Sequence, residues 1–295
     1  MILVTGSSGF VGSHLLPRLV GAGYKVRCLV RLPAEAVAVE AMGATAVTGD
    51  VTDPASLRGA LSGVESVVHL VAVLREGRGA TFSRVNVEGT GNVVAAAREA
   101  SVKRFIHIGA MGAGDRPRYV YFHSKWQGEE IVRTSGLDFT VFKPGAMFGK
   151  GAGFIDKLAN SVSMFPLLAP IAGSGRTRFQ PLWVEDLATC ILAALKGDKI
   201  GQTCEIGGPQ HLTYEQILDA VMAALGKKRL KIHVSVLLMR PAVGLMERIL
   251  GDPPVTSVEL KALEMDNIGA LDSVESQFGF KPLELAKGLD YLKKA

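Results

Sequence analysis

Cysteine and aromatic residues are scarce in this 295-residue sequence, low-complexity tracts are absent, and no long uninterrupted apolar run occurs. Each shortage excludes something. Cys28, Cys190 and Cys204 lie far apart, and their odd number and spacing argue against a disulfide framework or zinc and fit a reducing compartment. The most apolar stretch, Val234 to Leu250, is interrupted by Arg240, Pro241, Glu247 and Arg248, so it is not a membrane span. Of the six histidines, His14, His69, His107, His211 and His233 show no close pairing, and no metal site is expected. The formal charge of +5 is modest and spread out. Its densest basic run, Lys227 to Lys231, reads as a solvated turn after a helix in preference to a membrane or nucleic-acid patch, and nucleic-acid binding is not expected. With a functional strand starting at Met1, no leader peptide is expected and a cytoplasmic location follows.

Apolar residues make up 48% of the chain, enough for a sizeable core. The chain opens on Met1 to Thr5, an apolar strand of the kind buried on both faces of a parallel sheet. Gly6-Ser7-Ser8-Gly9-Phe10-Val11-Gly12 then turns it into an apolar helix, Val11 to Val20. Gly6 permits the tight turn, Gly9 the approach of a pyrophosphate, and Gly12 the close packing of helix on strand. The helix N-terminus adds N–H groups and partial positive charge, so the loop predicts a bound dinucleotide.

Strands and helices alternate from there, which predicts a parallel sheet covered by helices on both faces. Further strands are expected at 25–30, 44–48, 66–72, 105–108 and 139–142, with helices at 35–42, 55–61, 87–100 and 121–135. After Phe148 the alternation fades into a glycine- and proline-containing region with one short helix, 154–160. A helix at 184–195 and a strand at 203–206 return to the sheet, and 214–225 is the clearest later helix. The expected domains are a nucleotide domain of residues 1–148 and 181–206, and a smaller one of residues 149–180 and 207–295, with a ligand in the cleft between them.

Tyr121 and Lys125 stand four apart, one turn along a helix face. A free tyrosine titrates near about pH 10, and a neighbouring cation is expected to lower that value and suit the phenol to acid–base work on a carbonyl oxygen. His123 falls off their shared face, so packing or solvent is its expected role. The glycine loop, Gly49-Asp50-Val51-Thr52-Asp53, and Tyr121 to Lys125 together resemble the extended short-chain dehydrogenase/reductase superfamily over essentially the whole chain. Asn86-Val87-Glu88-Gly89-Thr90, Lys143 to Gly149 and Val184 to Ala188 add to it. Three segments, 104–108, 178–184 and 205–209, look more narrowly like the atypical branch that contains the NADPH-binding accessory subunit of respiratory complex I and its bacterial relatives.

The resemblance implies a doubly wound parallel α/β Rossmann sheet with a smaller, mostly helical C-terminal substrate domain. It implies cofactor contacts from Gly6, Ser8, Gly9, Phe10, Val11 and Gly12, with Asp50 at the adenine amino group and Val51 beside the ring. Leu70, Val71 and Ala72, with Ile108 and Gly109, would follow the ribose and nicotinamide side. Lys125 would hold the nicotinamide ribose beside Tyr121, and Pro144, Gly145 and Met147 would flank the nicotinamide. Asp50 has a second reading as the start of a turn before the Asp53-Pro54 helix cap, and Asn86 reads equally as a cap or as a group shaping the active-site helix. Asn86, Met111 and Arg178 are the candidate substrate contacts, with Arg176 an alternative to Arg178 and a surface ion pair the other reading of either. Met239, Leu245, Met246 and Ile249 form a helical apolar stripe, read as core before substrate pocket. A peripheral membrane or quinone-enzyme partner stays open, as does oligomeric state.

Two absences bear on chemistry. Enzymes that take NAD place an acid at the end of the second strand, where this chain has Val30 and then Arg31. With no carboxylate there and a guanidinium able to pair with a 2′-phosphate, NADP(H) is favoured over NAD(H). The superfamily's serine or threonine after the fifth strand is also missing, since the stretch reads Ile108-Gly109-Ala110-Met111-Gly112-Ala113. Loss of one such donor costs about 2.7–4 kcal/mol in a transition state. The expected activity is an NADP(H)-dependent oxidoreductase of a small carbonyl or apolar substrate. A catalytically silent nucleotide-binding protein and a nucleotide-sugar epimerase or dehydratase are the alternatives.

Overall fold

A computed structural model describes residues 1–77, 79–250 and 255–294. The first half alternates as its apolar pattern requires: β1 (Ile2–Thr5), α1 (Phe10–Gly21), β2 (Val26–Val30), α2 (Pro33–Ala41), β3 (Thr45–Thr48), α3 (Pro54–Leu61), β4 (Ser66–His69), α4 (Gly89–Glu99), β5 (Arg104–Ile108), α5 (Val120–Arg133) and β6 (Asp138–Pro144). The rest is β7 (Met147–Phe148), α6 (Gly153–Met164), β8 (Leu168–Ala172), β9 (Arg178–Phe179), β10 (Leu182–Trp183), α7 (Val184–Leu195), β11 (Gln202–Ile206), β12 (Leu212–Thr213), α8 (Tyr214–Ala224), β13 (Leu230–Val234), α9 (Val236–Ile249), α10 (Ser257–Ala262) and α11 (Ser273–Phe278). The chain divides into two compact units, Met1–Pro144 with Leu187–Glu205, and Gly145–Asp186 with Ile206–Ala295.

In the first unit a seven-stranded sheet has the order β11-β6-β5-β4-β1-β2-β3, and β1 to β6 run parallel. The expected doubly wound α/β sheet is therefore present. The chain starts at β1, steps outward to β3, and returns to β4 on the other side of β1. That reversal opens a crevice at the carboxyl ends of β1 and β4, where open α/β sheets bind ligands. Every β1 residue is buried, as a strand covered on both faces must be. Leu3, Val67, Phe105 and Val141 of the sheet pack with Leu57, Leu61, Val93, Ala97 and Val132 of the helices in one core. Helix starts follow local chemistry: Pro54 opens α3 behind Asp53, whose side chain accepts from Ala55 N.

The second unit has its own core of Phe148, Ile155, Leu158, Val162, Ile171, Ile217, Leu218 and Val221. Its helices are joined by three short ribbons, β7 with β10, β9 with β12, and β8 with β13. None was expected from the sequence. A two-residue strand has no period to read, and Pro170 interrupts the apolar run of β8. The basic run 227–231 is a turn only as far as Arg229, because Leu230 and Lys231 open β13 and pair with Leu168 and Ala169. The helix expected at 154–160 extends over Gly153–Met164.

Arg104, 7% exposed, ties the edge of the first unit together. Its guanidinium donates to the carbonyls of Ala194, Asp138 and Asp198 and to the Thr140 hydroxyl. Burial pulls its pKa down, against the attraction of Asp138, Asp198 and Cys204. Arg104→Ala would leave these acceptors buried without a donor and is expected to cost about 2–4 kcal/mol of stability. Urea unfolding checks this, and an unchanged midpoint would mean that water takes over the guanidinium's role.

Candidate active site

The glycine loop takes the shape its residues require. Gly6 has φ +75°, and a Cβ there would sit 3.0 Å from Val71 N, so both the turn and the approach of β4 exclude a side chain. At Gly12 a Cβ would run into the Gly6 carbonyl and Ser7, which is how α1 can start directly against the loop. No side chain caps α1, and no acid stands in its first turn, Phe10, Val11 and Gly12 included. The loop borders a cavity of about 410 Å³ that Gly6, Ser8, Gly9, Arg31, Asp50, Val51, Leu70, Val71 and Ala72 also line, together with Val73, Glu35 and Arg84. An uncapped helix N-terminus on a cavity of this size is a donor set that suits a dinucleotide diphosphate.

One of these residues changes the sequence-based picture. Glu35 places a carboxylate at the end of β2 after all, so the expectation that none is available does not hold. It arrives from α2, where Pro33 opens the helix and Glu35 reaches back to accept from Arg31 N at 2.8 Å and Leu32 N at 3.0 Å. The Ser8 hydroxyl donates to it as well, at 2.9 Å. Partial burial opposes its charge, but the Arg31 and Leu32 amides, Ser8 and the Arg31 guanidinium hold its carboxyl below the usual range. Asp50 fulfils its turn-forming role, since its Oδ1 accepts from Thr52 N and Oγ1 at 2.8 and 2.9 Å while the residue lines the cavity.

A buried polar cluster adjoins the cavity. Asn86 sits in a π-helical turn, Ser83–Glu88, leading into α4, and is 1% exposed. Its Oδ1 accepts from Val73 N at 2.9 Å, and its Nδ2 donates to Ser124 Oγ at 3.0 Å. It is thus a strut between the cavity wall and α5, which decides against the capping role. Lys125, one residue on, is 3% exposed and donates to the Ile108 carbonyl at 2.7 Å, one strand end away. Burial pulls its ammonium down to about 8, with the Glu129 carboxylate pulling the other way. Burial also pushes the Tyr121 phenol up, and the Glu129 charge adds to that. This corrects the expectation of a lowered phenol. The Tyr121 ring is packed against Phe82 and Phe122 at 5.8 and 5.2 Å, and Lys125 spends a bond on a backbone carbonyl.

Glu129 is what the sequence reading missed in this cluster. It lies one further turn along α5, and a Cβ at Gly109 would collide with its carboxylate. The space beside Gly109, in the stretch where the superfamily carries its hydroxyl, is therefore taken by an acid. Its Oε1 accepts from Ala110 N at 3.4 Å and its Oε2 lies 3.8 Å from Lys143 Nζ. Burial raises its pKa, opposed by Lys143, the Ala110 amide and Lys125.

The other expected residues are more dispersed. Met111 is 2% exposed, and its N–H bonds to the carbonyl of Pro144 at 3.0 Å within the first unit. Gly145 and Met147 begin the second unit. There Arg178 gives Nε and Nη2 to Asp266 Oδ2, at 2.8 and 2.7 Å, in an exposed ion pair. Gly109→Ser, which would return a hydroxyl to the β5 end, is expected to lower stability by about 1–3 kcal/mol because Glu129 already fills the space. Denaturant melts of the variant test this, and wild-type stability would mean that Glu129 moves aside freely.

Residues 2–207 match the model of the NAD dependent epimerase/dehydratase family. The chain is 25% identical to a 3-beta-hydroxysteroid dehydrogenase of Mycolicibacterium neoaurum, over 96% of its own length and 87% of that protein. It is 28% identical to the mitochondrial NADH dehydrogenase [ubiquinone] 1 alpha subcomplex subunit 9 of Arabidopsis thaliana, over 73% of this chain but only 56% of that one. Among solved structures, an NADPH-dependent quinone oxidoreductase of Escherichia coli complexed with NADPH shares the fold, with a TM-score of 0.79 at 20% identity over 99% of both chains. Uncapped loop, crevice and matched residues agree: the chain belongs to the NAD dependent epimerase/dehydratase family.

Proposed function

We propose that this protein is an NADP(H)-dependent oxidoreductase of a small apolar or carbonyl-bearing molecule, with Tyr121 as proton donor and Lys125 as its electrostatic partner. One observation carries the reading. Asn86 bonds both Val73, on the cavity wall, and Ser124, beside Lys125, which supports reading the cavity and the helix that carries Tyr121 and Lys125 as one site. The hydroxysteroid dehydrogenase among the relatives supports an apolar hydroxyl or ketone as substrate class.

When bound, the dinucleotide would supply or accept hydride at the substrate carbon. The α1 N-terminus with Gly6, Ser8 and Gly9 would hold its diphosphate. Asp50 and Val51 would meet the adenine, and Leu70, Val71, Ala72 and Ile108 the ribose side. Pro144 would flank the nicotinamide. Tyr121 stays protonated through neutral pH, because its burial disfavours the phenolate, and so can donate from Oη to a carbonyl oxygen. Lys125, charged below about pH 8, would hold the nicotinamide ribose and stabilise the phenolate left behind.

For the 2′-position, Arg31 and Arg84 both line the cavity and favour a phosphate. Glu35 opposes them, and it occupies donors that a phosphate would otherwise take: the Arg31 and Leu32 amides and the Ser8 hydroxyl. NADP(H) binding therefore requires Glu35 to yield. A second reading, a catalytically silent dinucleotide protein, is supported by Gly109 and by the Glu129 carboxylate in the space a side chain there would need.

Tyr121→Phe is expected to abolish hydride exchange between NADPH and ketone substrates while NADPH still binds, as read by absorbance at the nicotinamide band and by calorimetry. Protein that binds NADPH and never oxidises it with any ketone or quinone favours the silent reading. Arg31→Ala should weaken NADPH about tenfold, the value of one partly exposed charge-assisted bond, and leave NADH unchanged. Glu35→Gln should shift the ratio toward NADPH. Equal affinities for both cofactors, unmoved by either substitution, would overturn the preference.

A further inference from the structure

Eleven of the eighteen exposed large apolar side chains among the described residues fall within 164–168 and 230–250, under a tenth of the chain. Several of them lie on one face of the β8–β13 ribbon and on the helix packed against it. Alternation puts Ala169 and Ile171 of β8 into the core, so Leu168 and Pro170 point the other way, beside Leu230 and Ile232 of the paired strand. Ala172 has the same parity and packs with the inner stripe of α9, Val236, Met239, Val243 and Met246. Helix α9 thus covers one end of this ribbon face and leaves the other end open, with Leu168 and Leu230 39% and 68% exposed.

The helix itself has a second apolar stripe. Leu238, Leu245 and Ile249 recur at helical spacing on its outer face and are 74%, 58% and 72% exposed, with Leu237 beside them at 71%. The expected core stripe is therefore split: Met239 and Met246 are inside, Leu245 and Ile249 outside. A 14-residue helix, apolar outside as well as inside, is too short to cross a bilayer, and no described helix is long and apolar enough to do so. Its dimensions suit a helix lying in the plane of an interface.

Charge identifies the occupant. Residues 226–250 carry Lys227, Lys228, Arg229, Lys231, Arg240 and Arg248 against the single acid Glu247. Lys231 is paired with Glu215 and Asp219, and Arg240 with Glu264. Lys227, Lys228, Arg229 and Arg248 form no ion pair among the described residues. A second copy would bring the same surplus of positive charge to a symmetric interface and repel. An anionic lipid surface supplies the complement to both the apolar stripe and the cations. We propose that this face, the outer stripe of α9 with the open end of the β8–β13 ribbon, docks peripherally on an anionic membrane leaflet. This goes beyond the oxidoreductase reading and does not depend on it.

The test is cosedimentation of the full chain with phosphatidylcholine vesicles containing or lacking about one-third phosphatidylglycerol, an amount that gives a strongly anionic surface. Wild type should partition at least roughly tenfold more onto the anionic vesicles, and the excess should fall with salt. Leu237→Ser with Leu238→Ser, and separately Lys228→Glu with Arg248→Glu, should each abolish it. All four positions are exposed, so unchanged circular dichroism and urea midpoint should accompany the loss. A Leu238→Trp variant should show blue-shifted emission on anionic vesicles only. The proposal is overturned if anionic vesicles capture no more protein than neutral ones, or if the variants bind like wild type. It is also overturned if sedimentation equilibrium finds a dimer that the leucine variant dissociates while vesicles bind neither.

Discussion

Everything in the first unit that bears on function depends on how closely α1 packs against the end of β1. Gly12 makes that approach possible, because any Cβ there would occupy the space of Gly6 and Ser7. The consequence is electrostatic. The helix starts at the carboxyl edge of the central strand with its N-terminus uncapped by side chains, facing the crevice at which the strand order reverses. Unpaired amides and the positive end of a helix dipole are the donor set an anion needs, before any charged side chain contributes.

The same unit also buries a cluster of charge. Lys125, Glu129 and Lys143 stand together beside the β5 end, all largely withdrawn from water. Burial pulls Lys125 down and Glu129 up, while their mutual attraction and the Lys143 charge beside Glu129 restore part of it. Behind them His69 is held neutral, its pKa drawn down to about 3 by burial and by Lys125. It stacks on His107 at 5.4 Å and reaches Thr5 and Thr90. The ammonium is thus placed by its surroundings, with its bond to the Ile108 carbonyl setting its position at the strand end.

The parts legible in the sequence were those with a period or a local rule. Alternating strands and helices, the glycine loop and the Asp53-Pro54 cap all follow from neighbours in the chain, and the sheet forms as they require. What escaped notice depends on distance. Glu35 reads locally as a helix residue, and only folding brings it back to Ser8, twenty-seven positions earlier. Glu129 was one turn beyond Lys125, yet its meaning comes from Gly109 on another element. The signal was present in both cases: an acid two residues after the helix-opening Pro33, at the third helix position, and an acid at helical spacing from Lys125. In the second unit, pairing of β8 with β13 spans some sixty residues and leaves no pattern in either strand alone.

The central claim, that the uncapped α1 N-terminus is the diphosphate site, is most directly tested by titrating wild type and Gly9→Asp with NADPH in a calorimeter. Gly9 has φ −78° and ψ 177°, extended backbone that any residue adopts, and a Cβ there meets only the Gly6 carbonyl, at 3.3 Å. Aspartate is also a favoured N-cap, so the variant should fold as well as wild type. Its carboxylate would stand where the diphosphate binds, and like charges so placed cost several kcal/mol. Saturable one-to-one binding by wild type, lost in a fully folded Gly9→Asp, is the predicted result. Equal binding by both proteins, or none by wild type, would contradict it.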